Sequence, residues 1–151
     1  MIEALRSAST VYLDSAPVIY FIEENKTFIR LVEPIIQAIA SGEKEGFSSH
    51  LTLLEVLIKP LQKKRPDLAE RYRDILLRSP HLRLLEVDSQ VAEEAARISA
   101  QYGIRTPDCI HLASARLAGA DVFSYKRQAA SRVQGTQGPR SEKRNEFPVT
   151  P

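Results

Sequence analysis

The sequence predicts an α/β domain built on a parallel sheet with helices on both faces, and two observations carry that expectation. Short β-branched and aromatic runs alternate with longer segments of helical periodicity, and proline, glycine or small polar residues punctuate each change. In such folds the strands end together along one edge, and sites form beyond their carboxyl ends. The chain has 151 residues, 43% of them hydrophobic, which is enough for one sizeable core in one domain.

The elements follow in order. Ser9-Thr10-Val11-Tyr12-Leu13 reads as a strand that ends at Asp14, and Ser15-Ala16-Pro17 turns the chain into a helix. Phe28, Leu31, Val32, Ile35, Ile36 and Ile39 recur at helical spacing until Ser41-Gly42 stops them. Glu45-Gly46-Phe47-Ser48-Ser49 is a weak second strand. The unalternating run from Leu51 to Ile58 predicts a helix halted near Pro60, with Glu55 facing inward among leucines. Pro66 opens a helix through Arg78, and residues 82–87 form a third strand closed by Asp88-Ser89. Val91, Ala95 and Ile98 mark another helix. Thr106-Pro107-Asp108 has helix-capping chemistry and opens a helix through His111, Leu112 and Ala115 to Gly119, after which Asp121-Val122-Phe123 begins a fourth strand.

Composition narrows the class. No run approaches the roughly 18 apolar residues of a membrane span, and the first residues lack a basic leader followed by an apolar stretch. Cys109 is the one cysteine, so neither an intrachain disulfide nor a cysteine-held zinc can form. A cytoplasmic protein is expected. The net charge of +2 conceals an asymmetry: residues 1–123 carry 15 Lys+Arg against 17 Asp+Glu, and residues 124–151 carry 6 against 2. Six scattered cations in a tail are ordinarily solvated, so the tail is not read as a nucleic-acid site.

Three acids stand where an apolar core would not want them: Asp14 after the first strand, Glu55 within an apolar helix, and Asp108 in the first turn of a late helix. Unpaired burial of each would be costly. Hard divalent cations take oxygen ligands, and magnesium binds one or two carboxylates, several waters and substrate phosphate. Three convergent acids would therefore hold such a metal for phosphodiester hydrolysis. Each also has a structural reading: Asp14 as a turn residue, Glu55 as the partner of a nearby Lys or Arg, Asp108 as a carboxylate favoured by the helix dipole. His50 and His111 lie in apolar helical stretches and read as packed or orienting residues. Cys109, with no adjacent base, reads as a small buried residue.

Taken together, Val11-Tyr12-Leu13-Asp14-Ser15, then Ser48-Ser49-His50-Leu51-Thr52-Leu53-Leu54-Glu55-Val56-Leu57, then Thr106-Pro107-Asp108-Cys109-Ile110-His111-Leu112-Ala113 resembles the three leading motifs of PIN domains, in order. The match spans residues 10–123. The type it resembles is the VapC toxin of toxin–antitoxin pairs. The resemblance implies a three-layer α/β/α sandwich with a mainly parallel sheet, a Mg2+ site that also takes Mn2+, and endonucleolytic cleavage of RNA. It further implies a VapB-like antitoxin as partner, and a homodimer. Asp14, Glu55 and Asp108 match the metal-binding, catalytic acids, and Ser15 matches the small hydroxyl residue beside the first of them.

The chain departs from the pattern after the fourth strand. PIN domains carry a Thr-Asn-Asp motif there, whose aspartate is a fourth acid; here Phe123 is followed by Ser124-Tyr125-Lys126-Arg127, and in register Arg127 takes the aspartate's place. A cation there repels metal. The alternative function is accordingly a PIN-fold module that binds antitoxin or RNA without cleaving it. A further reading, in which the acids only cap helices and pair with bases, requires three coincidences.

Residues 1–123 are thus expected to form the domain core, and residues 124–151, with six apolar side chains and no sustained period, an atypical and largely disordered tail. Back-translated and read one base on, the segment from Ser124 to Ala130 is compatible with Leu-Thr-Asn-Asp-Lys-Arg-Leu, a PIN-like continuation. A similar shift fits residues 136–141 to Leu-Lys-Val-Leu-Val-Leu. We hypothesise a frame-displaced segment; a genuinely divergent tail is the competing account. Sequencing the encoding DNA tests this, with single-base insertions or deletions expected to restore both segments; if none does, the tail is divergent.

Overall fold

The computed structural model describes residues 7–125 and 128–132. Five strands, β1 (Thr10–Leu13), β2 (Glu45–Ser49), β3 (Leu82–Leu85), β4 (Val122–Tyr125) and β5 (Gln128–Arg132), form one sheet in the order β3-β2-β1-β4-β5. The first four are parallel to their neighbours and β5 runs antiparallel to β4. Six helices connect them: α1 (Ser15–Ile22), α2 (Ile29–Ala40), α3 (His50–Gln62), α4 (Pro66–Arg78), α5 (Ser89–Tyr102) and α6 (Thr106–Leu117).

The alternation of side chains along β1 creates the layers. Val11 and Leu13 point into one core with Val18 and Ile22 of α1, Ile35 and Ile39 of α2, Val56 of α3, and Tyr72 and Leu76 of α4. Tyr12, between them, points into the other with Val91, Ala95 and Ile98 of α5 and Leu112, Ala113 and Ala115 of α6. A strand apolar on both faces has no face for water, which is why it lies at the centre of a parallel sheet. The result is the three-layer α/β/α sandwich with a mainly parallel sheet that the motifs implied.

Two helix boundaries differ from expectation. α3 continues past Pro60 to Gln62; the buried proline removes only its own N–H from the helical ladder, and the helix ends two residues later. α6 begins at Thr106, with Arg105 rather than Thr106 as its cap and with no capping side-chain bond. β3 ends at Leu85, two residues short of the expected run. Within the expected tail, residues 124–125 and 128–132 carry strand pairing, and residues from 133 onward lie outside the described part, as do Lys126 and Arg127.

The sheet edge opposite the carboxyl ends is pinned by Asp121, whose Oδ2 accepts the backbone N–H groups of Ser9 and Thr10 at 3.0 Å each. Partial burial works against its charge, yet the bonds from Thr10 and Ser9 hold the carboxyl below its ordinary range. Asp121→Ala is expected to cost about 1 kcal/mol near pH 7 by chemical denaturation. A depressed carboxyl stabilises the fold above its unfolded-state pKa and loses that contribution as pH falls through the folded-state value. The two proteins should therefore converge in stability in acid; a difference that grows there would refute the pinning role.

Candidate active site

β1 lies where the connections change direction, with β2 and β3 built outward on one side and β4 on the other, so the crevice beyond its carboxyl end is the expected site. Asp14 stands there as the N-cap of α1 in extended conformation, its Oδ1 accepting the Ala16 N–H at 3.1 Å, and it is 5% exposed. α3 starts directly from β2 and carries Glu55 on its second turn. α6 starts at the same edge, with Asp108 in its first turn, and runs from there to the opposite edge, where β4 begins. Three separate segments thus deliver the three acids to one end of the sheet.

Burial raises the Asp14 carboxyl from its ordinary value to about 7, opposed by His111 and the Ala16 N–H and reinforced by the negative charges of Glu55 and Asp108. Those interactions show that the three acids and His111 share one electrostatic neighbourhood. Neither of the other acids is unpartnered. Asp108 accepts from Arg105 at 3.2 Å (Nη2) and 3.4 Å (Nε), both to Oδ2. Glu55, at 28% side-chain exposure, faces His111, with Oε2 3.0 Å from Nε2.

His111 is the residue that sequence reasoning set aside and the structure brings into the site. It is 3% exposed, and its Nδ1 lies 3.0 Å from the Tyr12 hydroxyl. Burial pushes the Tyr12 phenol well above its ordinary value. Around it, the Ser49 and Ser114 hydroxyls lie buried beside the phenol without reaching hydrogen-bond geometry, and the Thr52 hydroxyl is likewise buried and unpaired. The spacing of Asp108 and His111, three apart on one helix, was the signal available in the sequence. His50 is exposed at the first position of α3, so it is not packed. Cys109 is buried, bonds through sulfur to the Ile104 carbonyl at 3.2 Å, and its thiol is raised by burial, which makes it an inert packing residue. Arg127 lies outside the described residues.

The PIN domain family model matches residues 11–134. The chain belongs to the PIN domain family. None of the curated proteins matches its sequence. Among solved structures, a toxin–antitoxin complex from Klebsiella pneumoniae is similar at 18% identity and a TM-score of 0.56, over 75% of this chain and 82% of that one. VapC20 of Mycobacterium tuberculosis, a sarcin–ricin-loop-cleaving toxin, gives 15% identity and a TM-score of 0.61 over 75% and 86%. DNA-bound VapBC from Salmonella typhimurium gives 19% and 0.54 over 73% and 81%. At these identities the likeness is one of fold.

Whether this PIN domain's donor set suits a divalent metal is decided by its chemistry. The donors are carboxylate oxygens, and the buried Asp14 is destabilised in its charged form by its own desolvation and by two neighbouring acids. A dication would relieve all three effects. Among the described residues no three His, Cys, Asp or Glu side chains stand close enough to form a closed metal cage. Magnesium does not ask for one, since it keeps several waters and takes one or two carboxylates. The residues fit the group on those terms.

The raised Asp14 carboxyl has a measurable consequence without metal. Its folded-state pKa lies above the unfolded one, so its contribution is fully present below about pH 4 and is lost as pH rises through about 7, at roughly 1.4 kcal/mol for each pH unit that separates the two values. Asn retains the capping acceptor without the charge. Asp14→Asn is expected to melt higher than the parent at pH 8 in chelator, with the advantage vanishing toward pH 4. Added Mg2+ should stabilise only the parent. A variant that melts lower than the parent at pH 8 in chelator would contradict the assignment.

Proposed function

We propose that this chain is a metal-dependent endoribonuclease that hydrolyses RNA phosphodiester bonds, and that it is the toxin of a cytoplasmic toxin–antitoxin pair. The observation that carries the reading is the convergence of Asp14, Glu55 and Asp108 on the carboxyl edge of the sheet in a PIN domain. Structures of similar fold come from toxins and their complexes, which supports the toxin assignment.

Asp14, Glu55 and Asp108 would hold Mg2+ or Mn2+. When bound, such an ion supplies an activated water and charge to neutralise the phosphoryl oxygens. The protein's own part is to hold the acids in a partly dehydrated crevice and to place a cation beside the phosphate. Arg105, with an 83% exposed side chain next to Asp108, is suited to that second task. Water adds to phosphorus as the bridging P–O bond breaks, and the leaving oxygen takes up a proton.

A VapB-like antitoxin is the proposed partner. Its support within the chain is an apolar stripe on α3, where Leu54, Ile58 and Leu61 are 58%, 46% and 59% exposed at i, i+4 and i+7 on the helix that carries Glu55. A homodimer is the proposed assembly. No helix among the described residues is long and apolar enough to cross a membrane.

A second reading, a PIN-fold module that binds without cleaving, is favoured by one observation: Glu55 and Asp108 are already engaged by His111 and Arg105, and the described residues form no three-ligand metal group. RNA cleavage by the purified protein with Mg2+ separates the two. Asp14→Asn and Asp108→Asn are each expected to reduce the rate by at least about 100-fold, since each removes a charge from the metal's shell. Equal cleavage by all three proteins would remove these acids from the mechanism, and none by the parent would favour the second reading.

A further inference from the structure

We infer that Tyr12 and His111 form a relay that positions the Glu55 carboxylate, the phenol setting the imidazole tautomer and the imidazole fixing the acid. The inference rests on the reading of Glu55 as a metal ligand and adds two residues to that site.

The direction of the relay follows from donor and acceptor chemistry. A neutral imidazole has one N–H and one lone pair. If Nδ1 carried the proton, the Nε2 lone pair would face the Glu55 carboxylate at 3.0 Å, setting two acceptors against each other. With the proton on Nε2, that nitrogen donates to Glu55 and Nδ1 accepts the Tyr12 O–H at 3.0 Å, so both contacts are satisfied. The outer partner of a histidine selects its tautomer in this way at metal sites, and ligating carboxylates are themselves held by hydrogen bonds.

Rigidity supports the assignment. The Tyr12 ring is wholly buried, lies stacked on Phe123 with centroids 5.4 Å apart, and meets the His111 ring edge-on at 6.0 Å. Its strand leads directly into Asp14, and His111 lies one turn beyond Asp108 on α6. The relay therefore fastens α3, which carries Glu55, to the two elements that carry the other acids. Both ring nitrogens of His111 are engaged and the residue is 3% exposed, so it is a positioning residue and not a base that meets water.

The test uses the full chain as the parent protein, Tyr12→Phe, His111→Leu and Glu55→Gln. In metal-free parent protein at a pH where the imidazole is neutral, nitrogen-15 spectra are expected to show the Nε2–H tautomer of His111, and Tyr12→Phe should shift it toward a mixture. Titration calorimetry with Mn2+ should show affinity falling by about 10- to 100-fold in the Tyr12 and His111 variants. Circular dichroism should show the same fold in both. A predominant Nδ1–H tautomer in the parent overturns the relay. So does unchanged Mn2+ affinity in both relay variants while Glu55→Gln weakens it, an outcome that leaves the metal reading standing. Unchanged affinity in Glu55→Gln, or no Mn2+ binding by the parent, removes the metal reading and the relay with it. If His111→Leu does not fold, Tyr12→Phe, which keeps the stacked ring, and the parent's tautomer decide.

Discussion

The burial of Asp14 is the constraint around which the rest of the site is arranged. β1 is sealed on both faces, with Val11, Tyr12 and Leu13 essentially inaccessible, and the chain leaves it directly into α1. A carboxylate at that junction cannot swing into water, and in a medium of low dielectric its charge needs a proton, a cation or several donors. The Ala16 N–H supplies one donor and His111 an electrostatic offset, yet the carboxyl still rises to about 7. The fold thus holds an acid in a place where stability alone would favour an amide. Conflicts of that kind between local preference and global fold are characteristic of sites.

The sheet topology explains why the other acids arrive at the same point. α3 leaves the carboxyl end of β2, the neighbour of β1, and α6 starts at that edge and runs to the opposite one, from which β4 enters on the other side of β1. Both helices therefore present their first turns where β1 ends. Asp108 occupies the first turn of its helix, where free backbone N–H groups favour negative charge, and Glu55 the second turn of α3. The apolar cores above and below fix the helices, so the distances among the acids are set by packing and not by the acids' own repulsion.

Much of this was legible in the chain because it depends on local chemistry. The β-branched run before Asp14, the Pro66 helix start, the Ser41-Gly42 stop with the positive φ of Gly42 and the Val91-Ala95-Ile98 spacing each specify their element from within a few residues. The positions of Asp14, Glu55 and Asp108 on those elements followed from the same patterns. What stayed hidden is the pairing between elements. Tyr12 and His111 are 99 residues apart and His111 and Glu55 are 56 apart, and nothing in an apolar helical stretch distinguishes a packed histidine from one that faces a carboxylate across the sheet edge. Arg105 shows the converse: a cap position expected of Thr106 fell one residue earlier, which placed a guanidinium beside Asp108.

The two engaged acids are not equivalent, and the difference bears on how the crevice would respond to a charged ligand. The Arg105–Asp108 pair joins side chains 83% and 23% exposed, and an exposed pair of this kind is worth about 0–1 kcal/mol. Arg105 can exchange Asp108 for a phosphate at little cost. The His111–Glu55 contact is part-buried and tied at its far end to a sealed tyrosine, so releasing Glu55 would strand an imidazole N–H in the interior. Asp108 is therefore the adaptable acid of the set and Glu55 the fixed one. An incoming ion or phosphate would meet a rigid wall formed by Asp14 and Glu55 and a movable one formed by Asp108 with its arginine.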